Sequence, residues 1–193
     1  TGPVLVDSDN DGEREVLLTT SSATDGARLE LWGRDGALIA TGPAIGQGHR
    51  WRHAIGAAPL GPDCEPEIVS VRTPHIGGVL EVWRRQGDAL ALVAFKIGYA
   101  SHTLGSRNFD MALIGDLDAD GRNEILVPDQ SQTHLVLLRH TADGLVEVWK
   151  SPALPGALTT NLAVVQPTGT KLRGLAFGSG LVVEVWMNGV TSP

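Results

Sequence analysis

Two stretches of one design decide the fold: DSDNDGEREVLL at residues 7–18 and DLDADGRNEILV at residues 116–127. Each has carboxylates at positions 1, 3, 5 and 9 and a glycine at position 6. These like charges repel one another unless a cation lies among them, and an oxygen-rich loop suits Ca²⁺. An EF-hand would need its acidic ligand at position 12, where Leu18 and Val127 stand. The pattern therefore predicts short calcium loops that lead directly into β-strands.

A repeat runs through the whole chain when it is aligned on position 9 of the acidic loop. The aligned residues are Glu15, Glu67, Glu124 and Gly174, spaced by 52, 57 and 50 residues. An apolar run and a turn follow each of them, and then comes a second strand: LELW at 29–32, LEVW at 80–83, LVLL at 135–138 or VEVW at 183–186. The alternation in three of these predicts a glutamate facing solvent between apolar residues that face inward.

Two further strands are predicted in most repeats. One follows the second strand, at 37–40, 90–95 and 145–149, and one precedes the acidic loop, at 4–6, 54–57, 111–114 and 162–165. Four short strands in a repeated unit of about 50 residues are typical of a β-propeller. We therefore predict an all-β fold, with one β-propeller domain over residues 1–193 and about four repeats of four antiparallel strands, near 1–48, 49–105, 106–158 and 159–193.

The fourth repeat has only VTSP, residues 190–193, left for an outer strand. A closed propeller normally has its last sheet completed by the other end of the chain, and four blades are the lower limit for closure. We expect either a part of a larger or incomplete propeller, or an open last blade that a partner or another segment completes.

Composition excludes several classes of protein. The net charge of −7 argues against a nucleic-acid partner, which would need a basic surface. No apolar stretch approaches the length of a membrane-spanning segment. Cys64 is the only cysteine, so an internal disulfide and a cysteine-based zinc cluster are excluded. Its own role stays open between a small loop residue and a reactive thiol.

The motif Asp-x-Asp-x-Asp-Gly-x-x-Glu, followed by a strand inside a repeat of this length, resembles the FG-GAP/VCBS repeats. These repeats form the propellers of integrin α-subunits and of many secreted bacterial proteins. The resemblance implies two Ca²⁺ sites with a structural role. The implied ligands are the side chains of Asp7, Asp9, Asp11 and Glu15 with the carbonyl of Glu13, and those of Asp116, Asp118, Asp120 and Glu124 with the carbonyl of Arg122.

The corresponding loops of the second and fourth repeats have lost most of these acids. Their aligned residues are Pro59, Gly61, Asp63 and Glu67 in the second repeat, and Gln166, Thr168, Thr170 and Gly174 in the fourth. We expect these two loops to bind no ion. Residues 7–15, 59–67 and 116–124 are called loop 1, loop 2 and loop 3 below.

The family pattern also implies that ligands bind on the face opposite the calcium loops. The loops expected there carry a ligand-binding set of Arg52, His53, His75, His102, Arg107, Asn108 and Asp110. Arginine forks beside aromatic and imidazole rings suit a polar or anionic partner. A zinc site made by His53, His75 and His102 is a weaker alternative, since no short histidine spacing is present.

Three functions remain open. The first is a calcium-stabilised, extracytoplasmic binding or scaffolding module for a protein or a polar or anionic glycan, without catalytic residues and working as a subunit of a larger complex. The second is a carbohydrate-active, lyase-like enzyme or a carbohydrate-binding propeller, with His53, His102, Arg107 and Asp110 as acid/base and charge-stabilising groups. The third is a purely structural subunit. The sequence has no glycine-rich phosphate loop and no nucleophile elbow, which argues against an enzyme.

Overall fold

The computed structural model describes residues 2–46, 48, 50–118 and 120–162, together with the backbone of 174–178 and 181–185. This part of the chain is all-β and contains no helix, as the sequence predicts. It therefore also contains no helix long and apolar enough to cross a membrane. The strands are β1 (Val4–Val6), β2 (Glu15–Ser22), β3 (Gly26–Trp32), β4 (Leu38–Thr41), β5 (Arg52–Pro59), β6 (Pro66–Arg72), β7 (Val79–Gln86), β8 (Ala89–Ile97), β9 (Leu113–Gly115), β10 (Glu124–Pro128), β11 (Leu135–Thr141), β12 (Gly144–Lys150), β13 (Gly174–Gly178) and β14 (Leu181–Val185).

The first twelve strands form three antiparallel meanders of four strands each: β1–β4, β5–β8 and β9–β12. A single parallel bridge between Thr41 and Ala89 joins β4 to β8. The first two meanders therefore form one eight-stranded sheet, whereas the third is a separate four-stranded sheet. The bridge exists because the Thr41 amide donates a hydrogen bond of 3.0 Å to the Asp88 carbonyl.

The fourth repeat is represented by the antiparallel pair β13 and β14. Strand β13 begins at Gly174, the residue that the repeat alignment places at position 9. The predicted strand at 162–165 falls mostly outside the described residues, and so do the loop positions 166, 168 and 170. Strand β9 begins at Leu113, two residues later than predicted.

Apolar side chains fill the space between successive meanders. Leu17 and Leu31 of the first meander share a cluster with Ile68 and Trp83 of the second. Val71 and Val82 of the second meander share another cluster with residues of the third, including Val127, Val136 and Leu138. The sheets therefore cover one another, and an inner strand such as β10 is buried along its whole length.

The prediction that Glu30 and Glu81 face solvent is wrong. Their exposed fractions are 5% and 2%. The Glu81 carboxylate accepts hydrogen bonds from Arg52 Nε at 2.9 Å and Arg72 Nε at 2.7 Å. A period of two residues shows which side chains share a face, and here the second face of the sheet is covered as well.

Candidate functional site: two acidic loops and a cavity

Loop 1 brings the carboxylate oxygens of Asp7, Asp9 and Asp11 within 4.8 Å of one another. The loop is closed by its own side chains: Gly12 N donates to Asp7 Oδ2 at 3.0 Å, and Glu13 N donates to Asp11 Oδ1 at 2.7 Å. Gly12 has a φ of 86°, in the left-handed region that favours glycine.

Glu15, the fourth acid of loop 1, closes the loop from the following strand. Its Oε2 accepts hydrogen bonds from Ser8 N at 2.9 Å and from Ser8 Oγ at 2.7 Å. The group close enough to share one ion therefore consists of the three aspartates, and Glu15 positions the loop behind them.

Loop 1 fits a calcium ion on the evidence of one buried atom. Asp7 Oδ1 is shielded from solvent and accepts no hydrogen bond within the described residues. A buried carboxylate oxygen without a partner is costly, and a cation among the three aspartates would satisfy it. Hard carboxylate oxygens are the ligands that Ca²⁺ prefers.

Loop 3 repeats this backbone arrangement. Leu117 N donates to Glu124 Oε2 at 3.0 Å, and Gly121 N donates to Asp116 Oδ2 at 3.1 Å. Oxygens of Asp116, Asp118 and Glu124 lie within 4.8 Å of one another. Burial raises the pKa of Glu124, and burial together with the neighbouring Asp120 carboxylate raises the pKa of Asp118.

Loop 3 differs from loop 1 in holding a buried guanidinium group among its acids. Arg139 on β11 is buried, and its Nη2 lies 2.7 Å from Glu124 Oε1, 3.0 Å from Asp118 Oδ2 and 2.8 Å from Asp120 Oδ2. The loop therefore already contains a positive charge supplied by the protein itself.

A cavity lies at the other end of β1 from loop 1. It has a volume of about 520 Å³ and is lined by residues 2–5 together with parts of β5 and of the segment before β9. His53, Arg107 and Asp110 of the predicted ligand-binding set line it, and Phe109 and Ile55 are among its apolar walls. Arg107 and Asp110 are exposed, and Arg107 makes no ion pair with any described residue.

The histidines of this set form a cluster beside the cavity. The His102 ring centroid lies 5.0 Å from that of His53 and 4.5 Å from that of His75. Ser101 Oγ lies between two of the rings, 2.8 Å from His53 Nδ1 and 3.2 Å from His102 Nδ1. The sequence offered no signal for this serine, because its position depends on how the loops pack.

His53 and His102 are both neutral at neutral pH. Burial, with the neighbouring His102, lowers the pKa of His53 to about 3, and burial, with the neighbouring His75, lowers that of His102 to about 4. Burial also lowers the pKa of His75. Among the described residues, the groups close enough to share a metal ion are the two acidic ones, so the zinc alternative gains no support.

Two members of the predicted ligand-binding set make hydrogen bonds within the fold. Arg52 is buried, donates to Glu81 and to the Pro43 carbonyl, and places its guanidinium 5.0 Å from the centre of the Trp83 ring. Asn108 Nδ2 donates to the Thr159 carbonyl at 2.6 Å. Neither lines the cavity.

No family model matches this chain, and neither a curated protein nor a solved structure is significantly similar to it.

Proposed function

We propose that the protein is a calcium-stabilised β-propeller of the FG-GAP/VCBS type that works outside the cytoplasm as a binding or scaffolding module. Three meanders of equal strand number support the propeller arrangement. In addition, β5 contacts both β1 and β9, so the first strands of the three meanders lie side by side. A propeller places the first strand of every blade around its axis in this way.

The calcium part of the proposal is supported by loop 1. Asp7, Asp9 and Asp11 converge, and Asp7 Oδ1 is buried without a hydrogen-bond donor in the described part of the chain. An ion bound there would hold the turn between β1 and β2 and neutralise the repulsion among the aspartates. Calcium is plentiful outside the cytoplasm, which is why we propose an extracytoplasmic location.

The binding function is carried by one observation: the cavity collects Arg107, Asp110 and His53 at the end of β1 remote from loop 1. Since the clustered histidines are neutral, Arg107 is the cation among the described residues that line this cavity, and its guanidinium is free of ion pairs with described residues. A guanidinium recognises a carboxylate or sulfate through paired hydrogen bonds. We propose an acidic glycan as the ligand.

Replacing Arg107 with alanine is expected to weaken binding of an acidic polysaccharide, such as polygalacturonate or heparin, by about tenfold or more. The reason is the loss of a charge-assisted hydrogen bond, worth about 1.5–3 kcal/mol. Affinity is measured by titration calorimetry at one fixed salt concentration. Arg14→Ala is the matched control, because Arg14 is an exposed arginine of loop 1. Equal affinity of Arg107→Ala and wild type, or no binding by the wild type, would contradict the proposal.

A carbohydrate-active enzyme is the second candidate, and the line His53–Ser101–His102 beside the cavity favours it. Imidazoles with pKa values of about 3 and 4 are weak proton acceptors at neutral pH, which makes binding without catalysis the better-supported function. Depolymerisation of the same polysaccharides by the wild type, lost in His102→Ala, would establish the enzyme instead.

A further inference from the structure

The three loops differ in the arginines that contact their acids. We infer that Arg84 and Arg139 are built-in cations of loops 2 and 3, so that loop 1 alone takes up a calcium ion tightly. This inference rests on the calcium-binding part of the proposed function. It differs from the sequence-based expectation of two equivalent calcium sites, in loops 1 and 3.

Strand register makes the three loops directly comparable. Val16 pairs with Trp32, Ile68 with Trp83, and Ile125 with Leu138. The first residue named in each pair directly follows the acid at position 9 of its loop. The residue after each partner is therefore equivalent in the three repeats: Gly33, Arg84 and Arg139.

In loop 2 the arginine takes the place that an ion would occupy. Arg84 Nη1 and Nη2 lie 2.6 and 2.9 Å from the two oxygens of Asp63, and Nη2 lies 2.7 Å from Glu67 Oε1. Asp63 and Glu67 are the acids at positions 5 and 9 of the motif. Positions 1 and 3 are Pro59 and Gly61, so the motif retains two acids in this loop. The Arg84 guanidinium contacts both carboxylates, and His140 Nδ1 lies 2.6 Å from Glu67 Oε2.

In loop 3 all four acids are retained, yet Arg139 already contacts three of them. Its side chain is only 3% exposed, and its Nη2 contacts oxygens of Asp118, Asp120 and Glu124. Two of these acids belong to the group that is close enough to share an ion. A buried positive charge this close to the acids repels a divalent cation strongly. An ion could therefore bind only by displacing the guanidinium or by lying close to a like charge.

In the described part of the chain, loop 1 has no buried arginine at the equivalent position. Its register position is Gly33, where an added Cβ would lie 2.9 Å from Asp35 Oδ1 and 3.3 Å from Ile39 Cδ1. The nearby Arg34 pairs with Glu13, and Arg85 makes a longer, solvent-accessible ion pair with Asp9, its Nη1 3.6 Å from Asp9 Oδ2. Loop 1 therefore relies on an ion from solution to satisfy Asp7 Oδ1.

Calorimetric titration of the chelator-treated protein with CaCl₂ tests the inference. We expect one tight equivalent in the wild type, lost in Asp9→Asn and retained in Asp116→Asn. Arg139→Gln is expected to add a second equivalent, with an affinity for loop 3 raised about tenfold or more over that in the wild type. Arg84→Gln is the matched control and should leave the stoichiometry at one, because loop 2 lacks acids at positions 1 and 3.

Two equal tight sites in the wild type, or no added site in Arg139→Gln, would overturn the inference while leaving calcium binding intact. If neither the wild type nor Arg139→Gln binds calcium, the calcium proposal is overturned as well. If Arg139→Gln does not fold, the comparison of Asp9→Asn with Asp116→Asn in the otherwise unchanged protein decides. Equal effects of these two substitutions on the tight site would overturn the inference.

Discussion

Replacing Glu81 with glutamine is expected to lower the free energy of unfolding by about 3–5 kcal/mol, the usual cost of removing one partner of a buried ion pair. Glu81 and Arg52 are both almost completely buried, and their side chains meet at 2.9 Å. With a neutral amide in place of the carboxylate, the Arg52 guanidinium would stay buried without a counter-charge, beside the Pro43 and Ala27 carbonyls and the Trp83 ring. Urea denaturation measures the loss.

Glu65→Gln is the control for this substitution, since Glu65 is an exposed glutamate at the end of loop 2. It is expected to change the stability by less than about 0.5 kcal/mol. The double variant Arg52→Met/Glu81→Leu should recover part of the loss, because a buried ion pair can often be replaced by apolar residues. An equal effect of Glu81→Gln and Glu65→Gln would show that the pair is not important for the fold.

Acidification below about pH 6.5 is expected to destabilise the protein through its buried histidines. The pKa of His53 is about 3 and that of His102 about 4 in the folded state, below the ordinary value of 6.5. The unfolded chain therefore takes up protons from about pH 6.5 downward, while the folded chain does not. Stability is lost through this range by up to about 1.4 kcal/mol per pH unit for each histidine.

Denaturant unfolding between pH 7 and pH 4 measures this slope. His53→Asn is expected to flatten it, because the remaining side chain cannot be protonated in the unfolded state. His134→Asn is the control, since His134 pairs with Asp129 outside the histidine cluster. An unchanged slope in His53→Asn would contradict the assignment.

The sequence predicted the all-β fold well because strand periodicity and turn residues are local signals. The predicted strand at 4–6 coincides with β1, and 54–57 lies inside β5. The exposure of Glu30 and Glu81 could not be predicted in the same way. It depends on which faces neighbouring sheets cover, and that is a property of tertiary packing.

In the candidate site, too, local features could be predicted from the sequence and contacts between distant residues could not. Acid spacing predicted two clusters of four acids, and each loop brings three of its four acids close together: Glu15 lies outside the first group and Asp120 outside the second. Arg84 and Arg139 were missed, since each reaches its loop from a later strand and only the strand register places it there. Of the predicted ligand-binding set, His53, Arg107 and Asp110 line one cavity, whereas Arg52 is directed into the sheet by Glu81.

The calcium dependence of unfolding tests the central claim most directly. At a free Ca²⁺ concentration 100 times the dissociation constant of loop 1, wild-type protein is expected to gain about 2.7 kcal/mol over protein in chelator. Asp9→Asn, which removes one of the three converging carboxylates, is expected to show the same stability in both conditions. Identical unfolding midpoints of the wild type with calcium and with chelator would contradict the account.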